Sequence, residues 1–321
     1  MNTAFIVPIL LAFIITVIMC PIVIPFLTRL KFGQFIRNDG PRTHLKKTGT
    51  PTMGGVVIVS GILITSLFYI ETNPEIIPIL FMMISFGVLG FFDDYIKVVM
   101  KRSLGLRAYQ KMLGQLLISG VYCYYIINNT SIGTKIILPF SNGIYIDLGW
   151  GFIPFIFIVI LGTVNGTNLT DGLDGLASSI TILVATFFTV VSIGVGSNIS
   201  PITGAAAGSL LAFLLFNSHP AKVFMGDTGS LALGGFVVST AISLNMPLFI
   251  LIVGFIYLAE CISVILQVSY FKATGKRIFK MAPIHHHFEL LGWKETKVVA
   301  VFGIITAILC LIGLYGLNGF F

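Results

Sequence analysis

Two adjacent carboxylates, Asp93 and Asp94, close an apolar run that begins near Ile76, and Lys97, Lys101, Arg102 and Arg107 follow them. Charge where a membrane helix meets water marks a substrate or ion site with a cationic partner nearby. A helix end at the interface would explain one acid; a pair followed by Lys97 reads as a site. Asn165, Asn168, Asp171 and Asp174 are threaded with Gly166, Gly172 and Gly175. Their spacing of three would set each pair on one face at the start of a helix, and capping explains only one of the four. Asp227 follows Gly226, with Asn217, His219 and Lys222 upstream, and reads as a metal ligand at a helix start rather than as a cap alone.

Three more features complete the set. His285, His286 and His287 are consecutive, which is not the spacing that puts imidazoles on one helix face for zinc. Such rings can donate to phosphate oxygens, and Lys276, Arg277 and Lys280 would attract an anion. Lys46 and Lys47 lie in a glycine-containing loop that suits either a phosphate or anionic lipid headgroups. Glu260 has no evident partner and reads either as a bundle-facing structural acid or as part of the site. Carboxylates without thiolates select a hard ion, hence magnesium, with manganese as its substitute. Magnesium, lysine and histidine around oxyanions describe phosphoryl transfer. Acids at membrane depth near the aqueous surface imply one lipid substrate and one soluble substrate.

The elements that must carry these groups are membrane helices. The chain has 321 residues, of which 56% are apolar and 10% charged, with a mean hydropathy of +1.00; a soluble domain is about 25% charged. Hydropathy predicts an all-α integral membrane protein, a single polytopic domain over 1–321 with about ten transmembrane helices of roughly 20 residues. Expected spans are 3–30, 53–70, 76–98, 108–128, 150–164, 173–195, 201–217, 229–244, 247–271 and 297–318. The first run has no cation before Arg29, unlike a secretory signal, and is expected to remain as a helix. Cys20, Cys123, Cys261 and Cys310 stand singly in apolar runs and read as small core residues.

Cations concentrate in alternate connections: Lys31, Arg37, Arg42, Lys46 and Lys47; Lys97 to Lys111; Lys222; and Lys272 to Lys297. The remaining connections hold Lys135 as their only cation, besides Glu71, Glu75 and Asp147. The positive-inside rule then makes the basic connections cytoplasmic. Both termini are expected outside, and every polar cluster falls on the cytoplasmic face.

The segments Gly49 to Gly55, Phe92 to Tyr95, Asn168 to Ala177, Phe224 to Ser230 and Ala282 to Glu289 closely resemble, in order, those of the phospho-N-acetylmuramoyl-pentapeptide transferases. These belong to the polyprenyl-phosphate N-acetylhexosamine-1-phosphate transferase superfamily. The resemblance implies a multi-pass homodimer in the bacterial cell membrane that joins UDP-N-acetylmuramoyl-pentapeptide to undecaprenyl phosphate, giving lipid I and UMP. It implies Asp227 as the magnesium ligand, with Asp93, acting on the lipid phosphate, Asp94 and His285 as catalytic residues beside it. Lys97 would contact substrate. Lys47, Asn168, Asp171, Gly172, Leu173, Asp174 and Phe224 would surround the nucleotide, and Asn217, His285, His286 and His287 the diphosphate and sugar. No nucleic-acid partner is expected. A relative using UDP-N-acetylglucosamine would differ in the triple-His loop. An intramembrane aspartyl protease would need glycine at Phe224, and a transporter would be expected to show an inverted repeat, which is not evident here.

Overall fold

The computed structural model describes residues 5–29, 47, 49–100, 102, 105–130 and 132–317. Lys31, Arg37, Arg42, Lys46 and Lys101 lie outside the described residues. Apolar runs become α1 (Ile6–Arg29), α2 (Gly55–Leu67), α3 (Ile76–Val98), α4 (Ala108–Asn129), α5 (Phe152–Thr170), α6 (Leu176–Gly194), α7 (Ser200–Asn217) and α8 (Gly226–Ser243). After a 3-10 turn at Pro247–Phe249 come α9 (Ile250–Val253), α10 (Phe255–Thr274), α11 (Ile284–Leu290) and α12 (Glu295–Tyr315).

The structure departs from or adds to the expected elements in four places. The helix expected over 150–164 runs on to Thr170, because Asn165 and Asn168 find partners on neighbouring helices instead of ending it. The helix expected over 247–271 is broken at Gly254. The triple-His segment forms its own short helix, α11. An antiparallel hairpin, β1 (Lys135–Ile137) and β2 (Tyr145–Asp147), sets Lys135 opposite Asp147 in the α4–α5 connection.

By length and composition, α1, α3, α5 with its preceding turn, α6, α7, α10 and α12 suffice to cross a membrane. Their outward faces are apolar: Leu10, Ile14, Ile18, Ile22 and Phe26 form an exposed stripe along α1 at one-turn spacing, the inverse of a water-soluble surface. The other long elements depart from this pattern for separate reasons. The α2 helix has only 13 residues, and α4 carries Gln110, Lys111 and Gln115.

The α8 helix is rich in Gly, Ser and Thr because nothing but protein surrounds it: every residue from Thr228 to Ile242 is buried, against α3, α5, α2 and α6. Small residues allow this approach where no water drives helices together. A methyl group on Gly90 would overlap the Asp227 carbonyl, and one on Gly55 the Gly229 backbone. Between other helices, buried hydroxyls act as ties. Thr16 meets Ser209 at 2.8 Å, Ser209 donates to the Ile58 carbonyl, and Thr181 meets the Tyr257 hydroxyl at 2.8 Å.

Candidate active site

The close packing of α3 on α8 brings the acid pair to the start of α8. Adjacent helical residues point about 100° apart, and Asp93 and Asp94 accordingly serve different partners. Asp94 accepts from the Asp227 and Thr228 amides at 3.1 and 2.8 Å and from the Thr228 hydroxyl at 2.7 Å. These are among the amides that a helix start leaves without intrahelical acceptors. Gly226, at φ +73°, makes the turn into α8 directly over this carboxylate.

Asp93 accepts from the Leu106 amide at 2.6 Å and pairs with Lys97 at 2.6 Å. The same Lys97 ammonium lies 3.0 Å from Asp227. Lys111 of α4 meets that Asp227 oxygen at 2.8 Å and also donates to Asn168 at 3.2 Å. Asn168 donates to the other Asp227 oxygen at 3.0 Å and to Ser230 at 2.8 Å. One layer deeper, Gln115 and Asn165 exchange amide hydrogen bonds and hold α4 to α5. In the sequence Lys111 reads only as one of several cations in a basic connection.

The expectation that Asp171 and Asp174 share a helical face is corrected. Residues 171–175 form turns, not helix, and Gly175 sits at φ +77°. Asp171 turns toward Asp94 and Asp227; burial, and then those two carboxylates, push its carboxyl well above the usual range, against one hydrogen bond from the Gly226 amide. Asp174 points the other way. It pairs with Lys47 at 2.7 Å, lies 3.1 Å from His219 and accepts from the Ala221 amide at 3.0 Å. Glu295, unnoticed in the sequence because it reads as an ordinary first-turn acid, binds Lys47 at 2.6 Å and the Asp174 amide at 2.6 Å.

The three histidines diverge. His285 is buried with its Nδ1 3.1 Å from a Glu260 oxygen, a close approach that makes no hydrogen bond. The other ring nitrogen of His285 packs on Gly172, where any side chain would collide with it. His286 meets Glu289 at 2.8 Å, and His287 accepts from the Lys280 amide at 3.1 Å. Asn217, expected at the diphosphate, is buried: its side chain donates to the Val223 carbonyl at 3.0 Å and accepts from Ser178 at 2.9 Å, bracing the loop before α8. In that loop Phe224 is half-buried, and its backbone is zipped to Pro51 and Gly54. Leu173 is buried in the core.

Around Asp227 the structure therefore gathers Asp93, Asp94, Asp171, Lys97, Lys111 and Asn168, with Lys47, Asp174, His219 and Glu295 as a second cluster beside it. In the first cluster four carboxylates face two ammoniums, and its acid ligands are all hard oxygens. Hard oxygens are the donor type that magnesium takes, while Lys97, Lys111 and Asn168 engage both oxygens of Asp227. Asp174, His219 and Glu295 could also hold an ion by spacing, since their ligand atoms lie within 4.8 Å of one another. The Lys47 ammonium already bridges both of those acids.

The family model described as glycosyl transferase family 4 matches residues 76–245, which include Asp93 and Asp227. Signature 1 of the phospho-N-acetylmuramoyl-pentapeptide-transferases matches residues 47–59, beginning at Lys47. The chain is 53% identical over 311 residues to the phospho-N-acetylmuramoyl-pentapeptide-transferase of Clostridium kluyveri, spanning 96% of this chain and 98% of that protein. The enzyme of the same name from Caldicellulosiruptor bescii is 52% identical over 307 residues, 95% of each chain. That from Alkaliphilus oremlandii is 54% identical over 321 aligned positions, 97% of each.

Proposed function

The chain belongs to the phospho-N-acetylmuramoyl-pentapeptide-transferase family, and from that premise we propose how its residues carry the family's reaction. It transfers phospho-N-acetylmuramoyl-pentapeptide from UDP-N-acetylmuramoyl-pentapeptide to undecaprenyl phosphate. An oxygen of the lipid phosphate bonds to the sugar-linked phosphorus as the bond from that phosphorus to the bridging oxygen breaks. The bridging oxygen leaves with UMP, and lipid I keeps the sugar and its phosphate. One pyrophosphate linkage replaces another, so no further energy source is needed.

The observation that carries this reading is the meeting of Asp93 and Asp227, from two helices, on Lys97, with Lys111 and Asn168 closing on Asp227. Phosphoryl transfer is mainly positioning and charge stabilisation, and this constellation supplies both. Lys97 and Lys111 draw the phosphates together, and Asn168 holds Asp227 in one orientation. Asp93 orients the lipid phosphate, which needs little proton removal because its second pKa is about 6. Lys47 and Asp174 bind the nucleotide. Asp227 would hold magnesium, which when bound polarises the diphosphate and neutralises developing charge.

In the finer reading the protein crosses the bacterial cell membrane ten times, with both termini outside and the site on the cytoplasmic face, and works as a homodimer. The deciding experiment is exchange of radiolabelled UMP into UDP-N-acetylmuramoyl-pentapeptide by the purified protein. Exchange that requires both magnesium and undecaprenyl phosphate is the expected result. Exchange without the lipid, or no exchange with everything present, would overturn it.

A further inference from the structure

We propose that Glu295, in the first turn of α12, is a positioning residue for nucleotide recognition that holds Lys47 and the Asp174 backbone in their binding arrangement. The inference rests on the nucleotide-binding reading of Lys47 and Asp174 given above. One oxygen of Glu295 accepts from both the Lys47 ammonium and the Asp174 amide, each at 2.6 Å, while the other lies 3.4 Å from His219. A single carboxylate therefore ties the segment at Lys47 and the α5–α6 turn to the last long helix.

An ammonium has three donors. Asp174 takes one of them and Glu295 another, which directs the third. Lysine is otherwise a flexible point charge with much rotamer freedom, so its aim depends on these two acids. Both ends of the Lys47–Glu295 pair are largely withdrawn from water, with side-chain exposures of 15% and 10%, and removing one partner of such a pair leaves the other poorly compensated. Glu295 also lies in the first turn of α12, where a negative charge is favoured. Its effect on substrate passes through Lys47 and Asp174.

Glu295→Gln keeps an oxygen for the Asp174 amide and removes the charge that holds Lys47. In a UMP-release assay on the full chain in detergent, the KM for UDP-N-acetylmuramoyl-pentapeptide and the inhibition constant for UMP should rise together by about tenfold, while kcat changes less than about twofold. The KM for undecaprenyl phosphate should stay put. Combined with Lys47→Met, Glu295→Gln should add little, because the two act as one unit. Full additivity, or a fall in kcat with both nucleotide constants unmoved, would overturn the proposal. Should Glu295→Gln not accumulate as folded protein, Lys47→Met alone decides: an unchanged inhibition constant for UMP also overturns it. A wild-type protein without UMP exchange would instead refute the proposed reaction, so the two failures are distinguishable.

Discussion

Asp94→Asn tests whether the second acid of the pair acts through structure or through chemistry. The carboxylate accepts three hydrogen bonds at the start of α8, two of them from Thr228 to one oxygen. An asparagine that keeps its oxygen toward Thr228 must turn its amide nitrogen toward the Asp227 N–H, where donor faces donor. One hydrogen bond is lost, and the other two lose their charge assistance, a cost of about 2–3 kcal/mol. That corresponds to a melting temperature lower by about 5 °C in detergent. Asp227 follows the displaced helix start, and a shift on the order of 1 Å costs roughly 100-fold in rate. Thr228→Val, which removes only the 2.7 Å hydroxyl bond, should reproduce part of both effects. The assays are thermal unfolding and UMP release on the same preparations. A variant with native melting temperature and a large fall in kcat would refute the capping role and make Asp94 a direct participant in the chemistry.

Further outcomes follow from the same geometry. Asp227→Asn should lose about 100-fold or more of its magnesium-dependent turnover, since the ion's charge stabilisation is worth several kcal/mol; full activity in UMP release would remove the metal assignment. Asp93→Asn should retain residual activity that rises between about pH 6 and pH 8, as the lipid phosphate loses its second proton; a flat profile would make Asp93 more than an orienting group. Cysteines placed at Asn142 and Lys276, both exposed, should be labelled from opposite sides of intact cells, and labelling from one side would overturn the orientation.

The helices and the main acid cluster were legible because two independent signals coincide. Hydropathy marks where the chain crosses, and charge clusters mark where it surfaces, so Asp93 and Asp227 could be placed at one end of the bundle. What each polar group touches was not legible. Lys111 looks like any interfacial cation until α4 is packed on α5, since a weak apolar period does not say which face meets a neighbour. Asn217 and Asn168 both sit near a helix end, yet one braces a loop and the other grips Asp227. The end of α5 is not legible because Asn165 lowers local hydropathy, although its partner Gln115 satisfies it inside the bundle. Strands of three residues, Lys135–Ile137 and Tyr145–Asp147, are too short to show an alternating pattern.

The seclusion of α8 bears on how the protein is made. A segment carrying Asp227 and so many small polar residues gains little by partitioning into lipid alone. On the ten-helix reading it depends on earlier segments to enter the bilayer. The sheath of α3 and α5 must already be waiting when α8 leaves the ribosome, so α8 shifted ahead of α3 in a permuted gene would be expected to stay in water.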